Sequence, residues 1–129
     1  VGGEIRCGSS TGRIWNLGVR HPREAEHLTT LHIREGAVAT SGDYECFFIQ
    51  DGLRYSHLLS GETGWPSREA AGATVVAGRC ATADAVATAA AVAGPGGISG
   101  FDDQLFDLII IVTEDEQEVC TVHRFGEMP

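Results

Sequence analysis

An aspartate and a threonine stand four residues apart in ATADAVATAAAV, a segment that otherwise consists of alanine, valine and one further threonine. They are Asp84 and Thr88. If the segment is helical, about 3.6 residues per turn place both side chains on one face, one turn apart. A carboxylate beside a hydroxyl is a pair of hard oxygen ligands of the kind that Mg²⁺ prefers. Alternatively, Asp84 complements the positive helix N-terminus, and Thr88 bonds back to a carbonyl one turn earlier.

A histidine in the run RYSHLLS is the second residue with chemical potential. A single histidine between apolar residues is usually structural, but an imidazole can also accept and donate a proton, which makes His57 a candidate for chemistry. The remaining histidines match no motif and are predicted to be surface or structural residues; they are His21, His27, His32 and His123.

The stretch ATSGDYE has the composition of a turn that passes close to a ligand. Ser41 and Gly42 allow a close backbone approach, with amides available to phosphate oxygens. Asp43 and Tyr44 can instead simply cap a turn.

The alanine-rich segment carries signals for both of its ends. Thr82 is an acceptable N-cap, alanine is the strongest helix former, and Gly94-Pro95 is a stop signal. The pattern predicts a helix over residues 83 to about 93, with Asp84 in its first turn.

Short strand patterns lie on both sides of the predicted helix. IRCG and RIWNLGVR, separated by SSTG, suggest a hairpin, and a strand is predicted at HLTTLHI before the small-residue stretch 36–42. Asp-Gly turn chemistry in ECFFIQDGLRYSHLLS indicates a second hairpin. ATVVAG is a candidate buried strand, and LFDLIIIVTEDEQEVCTVHRF is typical of two strands around an acidic turn. Strands, one or two helices and further strands indicate an α+β fold.

Composition limits the classes of function. The 129 residues, 43% of them hydrophobic, suffice for one core. A formal net charge of −9 repels phosphate backbones and anionic lipids, which disfavours a nucleic-acid or membrane-surface binder. All nine basic residues are arginine, so a Schiff-base or P-loop lysine is absent. No stretch reaches the roughly 20 apolar residues of a transmembrane helix. The four cysteines form no CxxC motif, which favours buried free thiols over disulfides or a zinc site.

Four motifs occur in an order that resembles a known family. VGGEIR at 1–6, ATSGDYE at 39–45, DGLRYSHLLSGETGWP at 51–66 and ADAVATAAAV at 83–92 resemble the C-terminal half of the ApbE-type flavin transferases. The resemblance implies an ApbE-like α+β fold of mostly antiparallel strands with one or two packed helices. It also implies that residues 1–129 are the C-terminal portion of a larger transferase domain.

The family's reaction is what the resemblance implies for function. These enzymes split FAD at its pyrophosphate, attach the FMN half to a threonine or serine hydroxyl of a partner redox protein, and release AMP. A divalent cation, Mg²⁺, neutralises the diphosphate charge. The family includes exported, lipid-anchored members and cytoplasmic ones, so the compartment stays open.

The resemblance also assigns roles to the metal-site residues. Asp84 and Thr88 correspond to the aspartate and threonine that hold Mg²⁺ in the family. Ala87 stands at an intervening position, where it can offer only its backbone carbonyl.

Two further segments match the family's FAD site. His57 corresponds to a pyrophosphate contact or proton carrier, and Leu58 to a residue that touches the cofactor. Ser41 and Gly42 lie in the segment beside FAD, with Asp43 as a supporting polar group.

Two departures from the family pattern leave an alternative open. Ser60 and Gly61 replace the usual aspartate-proline pair, which predicts a looser loop after His57. The motifs of the family's N-terminal portion do not occur in the 129 residues. The alternative to a transferase is therefore a non-catalytic flavin-nucleotide-binding module or an inactive fragment of that fold.

Overall fold

Nine strands and one long helix make up the part of the chain that the computed structural model describes, residues 3–8 and 10–128. Their bounds are β1 Ile5–Cys7, β2 Trp15–Arg20, β3 His27–Ile33, β4 Gly36–Gly42, β5 Phe47–Gln50, β6 Leu53–Ser56, β7 Gly72–Ala77, α1 Cys80–Gly97, β8 Leu108–Glu114 and β9 Cys120–Gly126. Two short 3₁₀ turns, Ile98–Gly100 and Asp103–Leu105, connect α1 to β8.

A five-stranded antiparallel sheet in the order β1-β4-β7-β8-β9 forms the centre of the molecule. Two hairpins, β2–β3 and β5–β6, form separate two-stranded sheets. The central strand β7, GATVVA, is buried along its whole length, because both faces of the sheet are covered.

Alternation along the strands divides the sheet residues between two apolar layers. One face packs against α1 and the other against the β2–β3 hairpin. The sheet residues that face α1 are Ala37, Ala39, Ala73, Val75, Ala77, Ile109 and Ile111. Because most of those on β4 and β7 are alanines, the alanine-rich helix packs close to these two strands.

The other face carries larger side chains. Val38, Val76, Leu108 and Ile110 of the sheet form a core with residues of β2 and β3. Two threonines on this face, Thr40 and Thr74, are cross-strand partners whose hydroxyls lie 2.8 Å apart.

The helix begins earlier than its sequence signals predict. Arg79, which precedes it, has extended backbone angles and makes no side-chain capping bond. Thr82 is therefore inside α1, and its prediction as N-cap is wrong. Asp84 accordingly lies beyond the first turn, which contains no acidic residue.

The predicted stop at Gly94-Pro95 coincides with a break in the helix. Gly94 has a φ of 65°, and a second helical stretch begins at Pro95. A Cβ on Gly94 would lie 2.7 Å from the Cβ of Glu69, so the position excludes larger residues for reasons of both backbone angle and space. Ser67 Oγ donates to the carbonyl of Val92, 2.7 Å away, next to this break.

The strand predictions are confirmed except at the start of the chain. Asp51 and Gly52, with φ of 53° and 76°, form the β5–β6 turn, and the last two strands flank the acidic turn. The predicted first hairpin is wrong, since β1 pairs with β4 and β2 with β3. The stretch 36–42 is itself a strand, β4.

The four cysteines are free thiols, as expected. Only Cys7 is buried, whereas Cys46 is exposed, so the expectation of burial holds for one of them. Burial raises the pKa of the Cys7 and Cys120 thiols.

Candidate functional site

The helix α1 presents Asp84 and Thr88 at the border of its buried stripe. The stripe consists of Ala83, Val86, Ala87, Ala90, Ala91 and Gly94. Asp84 and Thr88 are exposed, and Ala91 lies on the same side of the helix nearly two full turns after Asp84. The two oxygen-bearing side chains are therefore solvent-accessible while the backbone that carries them is fixed by packing.

Strand β4 brings a third oxygen to this border. Ser41 follows Ala37 and Ala39 at alternate positions and so shares the face that packs against α1. Its Oγ lies 2.9 Å from Thr88 Oγ1, a hydrogen bond that joins β4 to α1. Thr88 therefore bonds to another element, and the alternative in which its hydroxyl only bonds back along the helix loses its basis.

Asp84 also differs from a residue that only complements the helix dipole. That interaction fades within the first helical turn, and Asp84 lies beyond it. Within the described residues, no hydrogen bond or ion pair engages its carboxylate, so both oxygens are accessible to a ligand.

Gly42 is needed for packing inside the protein. A Cβ there would overlap the ring of Tyr44, which covers this part of β4. Burial raises the pKa of Tyr44, and Arg20 stacks over the ring at 5.1 Å from its centroid. The small residues of this stretch do allow a group to come close to the backbone, and in this structure that group is the ring of Tyr44.

Asp43 lies in an ion-pair cluster. Arg23 donates from Nη1 and Nη2 to its two carboxylate oxygens, each at 2.7 Å, and from Nε to Glu114 at 2.8 Å. Arg54 approaches Asp43 at 3.7 Å. Because the carboxylates of Asp43 and Glu114 accept these hydrogen bonds, the pKa of Arg23 lies above its ordinary value. Asp43 therefore anchors the end of β4 to two other elements.

Two residues near the candidate site were not predicted from the sequence. Arg23 binds Asp43, and Glu114 binds Arg23. They are 91 positions apart, and neither lies in a motif. Only the antiparallel arrangement brings the end of β8 beside the segment that follows β2, so no local signal could have identified this pair.

His57 is exposed directly after β6. Its backbone N–H donates to the carbonyl of Cys46 at 3.2 Å, and its Nδ1 lies 3.3 Å from the same oxygen. A carbonyl oxygen only accepts hydrogen bonds, so the neutral ring that makes this contact carries its proton on Nδ1. The lone pair of Nε2 is then available to accept a proton.

Leu58, the next residue, is a core residue. It is 5% exposed and packs in the layer beneath α1. Its N–H donates to Ser56 Oγ at 3.3 Å, and its carbonyl accepts from the N–H of Ser67 at 2.8 Å. The cofactor contact expected at Leu58 stays a prediction.

The loop after His57 is closed by hydrogen bonds, although the loss of the aspartate-proline pair predicted a looser one. Ser60 N–H donates to Trp65 O at 2.9 Å, and Gly64 N–H donates to Ser60 O at 2.8 Å. The Ser60 hydroxyl accepts from the N–H of Glu62 at 3.3 Å. Ser60 therefore orders the turn through its own backbone and side chain.

The oxygen donors on α1 fit a hard cation. Mg²⁺ retains several waters and binds through one or two protein carboxylates plus substrate phosphates, so a carboxylate with a hydroxyl is a suitable donor set. Ala87 contributes less, because its side chain is completely buried and its carbonyl lies in the helical ladder. Within residues 3–8 and 10–128, no three His, Cys, Asp or Glu side chains form a metal-binding group.

A cavity of about 550 Å³ opens elsewhere, beside Asp43. It lies between the β5–β6 hairpin, with Leu53 and Arg54, and the acidic turn with Asp115 and Glu116. It is not lined by the exposed side chains of Asp84, Thr88 or His57. The oxygen donors on α1 thus lie on open surface.

Comparison with known sequences identifies relatives that are named FAD:protein FMN transferase. The FAD:protein FMN transferase of Treponema pallidum is 37% identical over 86 residues, which are 64% of this chain and 24% of the relative. That of Vibrio cholerae is 38% identical over 89 residues, 65% of this chain and 27% of the relative. The chain thus spans about a quarter of the length of these relatives.

Solved structures share the fold. The ApbE protein of Thermotoga maritima superposes with a TM-score of 0.79 at 35% identity, covering 93% of this chain and 40% of that one. The flavin transferase ApbE of Vibrio cholerae gives a TM-score of 0.70 at 28% identity, covering 96% and 40%. The predicted α+β class with mostly antiparallel strands is confirmed, and the chain is part of that larger fold.

Within the described residues, no helix is long and apolar enough to span a membrane.

A sequence profile of the ApbE family matches residues 1–107. The motifs, the fold and this match lead to one conclusion: the chain belongs to the ApbE family.

Proposed function

We propose that the chain is the C-terminal portion of a Mg²⁺-dependent transferase that moves the FMN moiety of FAD to a threonine or serine hydroxyl of a partner redox protein, releasing AMP. The observation that carries the proposal is the exposed pair Asp84 and Thr88 on one border of α1, with Thr88 held by Ser41. Family membership supplies the reaction, since the named relatives are FAD:protein FMN transferases.

In this proposal Asp84 and Thr88 hold Mg²⁺, and Ala87 adds at most its backbone carbonyl. When bound, the cation neutralises diphosphate charge and polarises the phosphoryl oxygens. Ser41 and Gly42 lie beside the cofactor, and Asp43 supports them through its bonds to Arg23. Leu58 fixes the start of the loop that follows His57.

His57 is the proposed proton carrier. With Nδ1 directed at the carbonyl of Cys46, Nε2 accepts the proton of the acceptor hydroxyl. The hydroxyl oxygen forms a bond to the phosphorus of the FMN phosphate as the bond between that phosphorus and the oxygen leading to AMP breaks. AMP leaves with the electron pair of the broken bond, and the protonated imidazole returns its proton to solvent.

A second candidate function is a flavin-nucleotide-binding module without transfer. It is favoured by the coverage, because the chain spans 24–27% of the sequences of these relatives and 40% of the solved structures. The two candidates differ in one outcome: a module binds FAD but forms no covalent product.

Labelling of an acceptor tests the proposal. The full-length protein that contains residues 1–129 is mixed with FAD, Mg²⁺ and a flavin-acceptor domain, and covalent FMN is detected by in-gel fluorescence and by mass. We expect labelling that chelation of the cation removes, and a loss of about 100-fold or more in Asp84→Ala, because preorganised charge stabilisation has this order of effect. Asp84→Ala should retain the melting temperature, since alanine favours the helix.

Matched controls separate the site from general effects of substitution. Asp103→Ala removes an exposed aspartate outside α1, and Thr82→Ala removes a threonine from the same helix; both should label normally. His57→Gln should slow transfer about 100-fold while FAD affinity changes much less. Normal labelling by Asp84→Ala would contradict the metal assignment, and FAD binding without any labelling would favour the module.

A further inference from the structure

We propose that Ser41 is a positioning residue for Thr88: its hydroxyl accepts the Thr88 proton and so directs the Thr88 lone pairs toward the cation. The inference rests on the proposed function, because it concerns the same cation site. It assigns to Ser41 a role through Thr88, which differs from the direct cofactor contact expected from the sequence.

The geometry provides the link between strand and helix. Ser41 is half-buried on β4, where it pairs with Ala73 of β7, so the sheet fixes its backbone. Thr88 is exposed on α1, and the two hydroxyl oxygens lie 2.9 Å apart. The contact crosses 47 positions of sequence and is the only hydrogen bond that either hydroxyl makes within the described residues.

The hydrogen bond selects between two rotamers of Thr88. A threonine inside a helix can direct its Oγ1 to the carbonyl one turn earlier, which here belongs to Asp84. Ser41 offers a partner outside the helix and holds Oγ1 at the border where Asp84 is exposed. Without the serine hydroxyl, the internal carbonyl becomes the available partner, and Thr88 turns away from Asp84's carboxylate.

The direction of the proton follows from the chemistry of a bound cation. Either hydroxyl of the pair can be the donor. If Thr88 Oγ1 held a cation, that oxygen would lose electron density and its hydroxyl would become the stronger donor, so Thr88 would donate its proton to Ser41. With the proton so placed, both lone pairs of the Thr88 hydroxyl would be left for the cation.

The same strand offers a matched control. Thr40 precedes Ser41 and therefore points to the opposite face, where its hydroxyl lies 2.8 Å from that of Thr74. Both residues make one hydroxyl–hydroxyl bond to a neighbouring element. Only the bond of Ser41 reaches the helix that carries Asp84.

Binding of Mn²⁺, measured by electron paramagnetic resonance on the 129-residue chain, tests the inference without any turnover. We expect Ser41→Ala to raise the Mn²⁺ dissociation constant about 10- to 100-fold, the usual cost of losing an outer-shell partner. Ser41→Thr, which keeps the hydroxyl, should bind within about threefold of the unchanged chain. Thr40→Val should lower the melting temperature but leave Mn²⁺ affinity unchanged.

The outcomes distinguish this inference from the proposed function. If Asp84→Ala and Thr88→Ala weaken Mn²⁺ binding but Ser41→Ala does not, the cation site stands and the positioning role is wrong. Equal weakening in Ser41→Ala and Thr40→Val would also overturn it, because the effect would then be a general loss of packing. If Mn²⁺ does not bind saturably to the unchanged chain, both proposals fail.

Discussion

The two regions that carry the candidate site residues are built in opposite ways. Asp84 and Thr88 belong to a helix whose inner side is packed on β4 and β7 with almost no exposed surface. His57 follows the β5–β6 hairpin, where large apolar residues face solvent. These are Phe47, Phe48, Ile49 and Leu53, with exposed fractions from 42% to 60%.

The difference shows that the two regions depend on different forces. The hairpin is a two-stranded sheet of its own, and such units are marginal without packing. Its internal contacts are the stacking of Phe48 on Tyr55 at 5.1 Å and of Arg54 over Phe47 at 4.0 Å. The positions of Asp84 and Thr88 are thus set by burial of the inner side of α1, whereas the exposed hairpin that precedes His57 depends on its backbone ladder and on a few aromatic contacts.

The largest expected effect compares two isoleucines. Ile111 in β8 is completely buried beneath α1, and Ile49 in β5 is 60% exposed. We expect Ile111→Ala to lower the free energy of unfolding by about 3 kcal/mol, since it removes buried methyl groups and leaves a cavity. Ile49→Ala should cost less than about 0.5 kcal/mol. Urea denaturation measures both, and similar losses would mean that the hairpin is as tightly packed as the centre.

A smaller effect is expected at the helix break. Gly94→Ala places a side chain at a φ of 65° and a Cβ 2.7 Å from that of Glu69, which should cost about 2 kcal/mol. Gly96 lies two residues later, in the second helical stretch, with open space around its Cβ position. Gly96→Ala should be neutral or stabilising by up to about 1 kcal/mol. Thermal unfolding of both variants gives the measurement, and a neutral Gly94→Ala would disprove the packing argument.

The smallest effect concerns the border between the two regions. Arg23→Gln removes the guanidinium shared by Asp43 and Glu114 and should cost about 1.5 kcal/mol, because two partly buried carboxylates lose their donor. Arg20→Gln removes a solvent-exposed ion pair with Glu45 and the stacking of Arg20 on Tyr44, and should cost less than about 1 kcal/mol. Denaturation at low and high salt distinguishes the two. Equal costs would show that the Arg23 cluster is no more than a surface ion pair.

Patterns of neighbouring residues predicted the turns and breaks that depend on local backbone preferences alone. Asp51-Gly52 predicted the hairpin turn because both residues adopt positive φ readily. Gly94-Pro95 predicted the helix break because glycine also adopts positive φ readily. The predicted helix start is three residues too late, because Thr82 is a residue type that often caps helices but lies inside α1, which begins at Cys80. Packing on β4 and β7 extends α1 to Cys80.

Long-range pairing was not predictable from these patterns. Most residues of 36–42 are small and have low strand preference. The stretch is nevertheless an interior strand of the sheet, β4, because a close-packed helix requires small side chains on the strands beneath it. Its pairing with β1 involves two distant segments, so adjacency in sequence wrongly suggested a hairpin of β1 with β2. For the candidate site, spacing placed Asp84 and Thr88 on one helix face, and their role as cation ligands came from the family resemblance and stays a prediction. The bond between Ser41 and Thr88 depends on where β4 lies under α1 and had no local signal.

The strands β4 and β7 are paired from Ala37 with Ala77 to Gly42 with Gly72, although residues 43–71 separate them in sequence. This segment, which includes the β5–β6 hairpin and His57, leaves the sheet at the end of β4 and returns to it at the start of β7, where Gly42 and Gly72 are paired. A segment whose ends already meet can change in length and composition without shifting the register of the strands that hold it. In this architecture the exposed parts of the histidine-bearing insertion can diversify while the helix that carries Asp84 stays where it is.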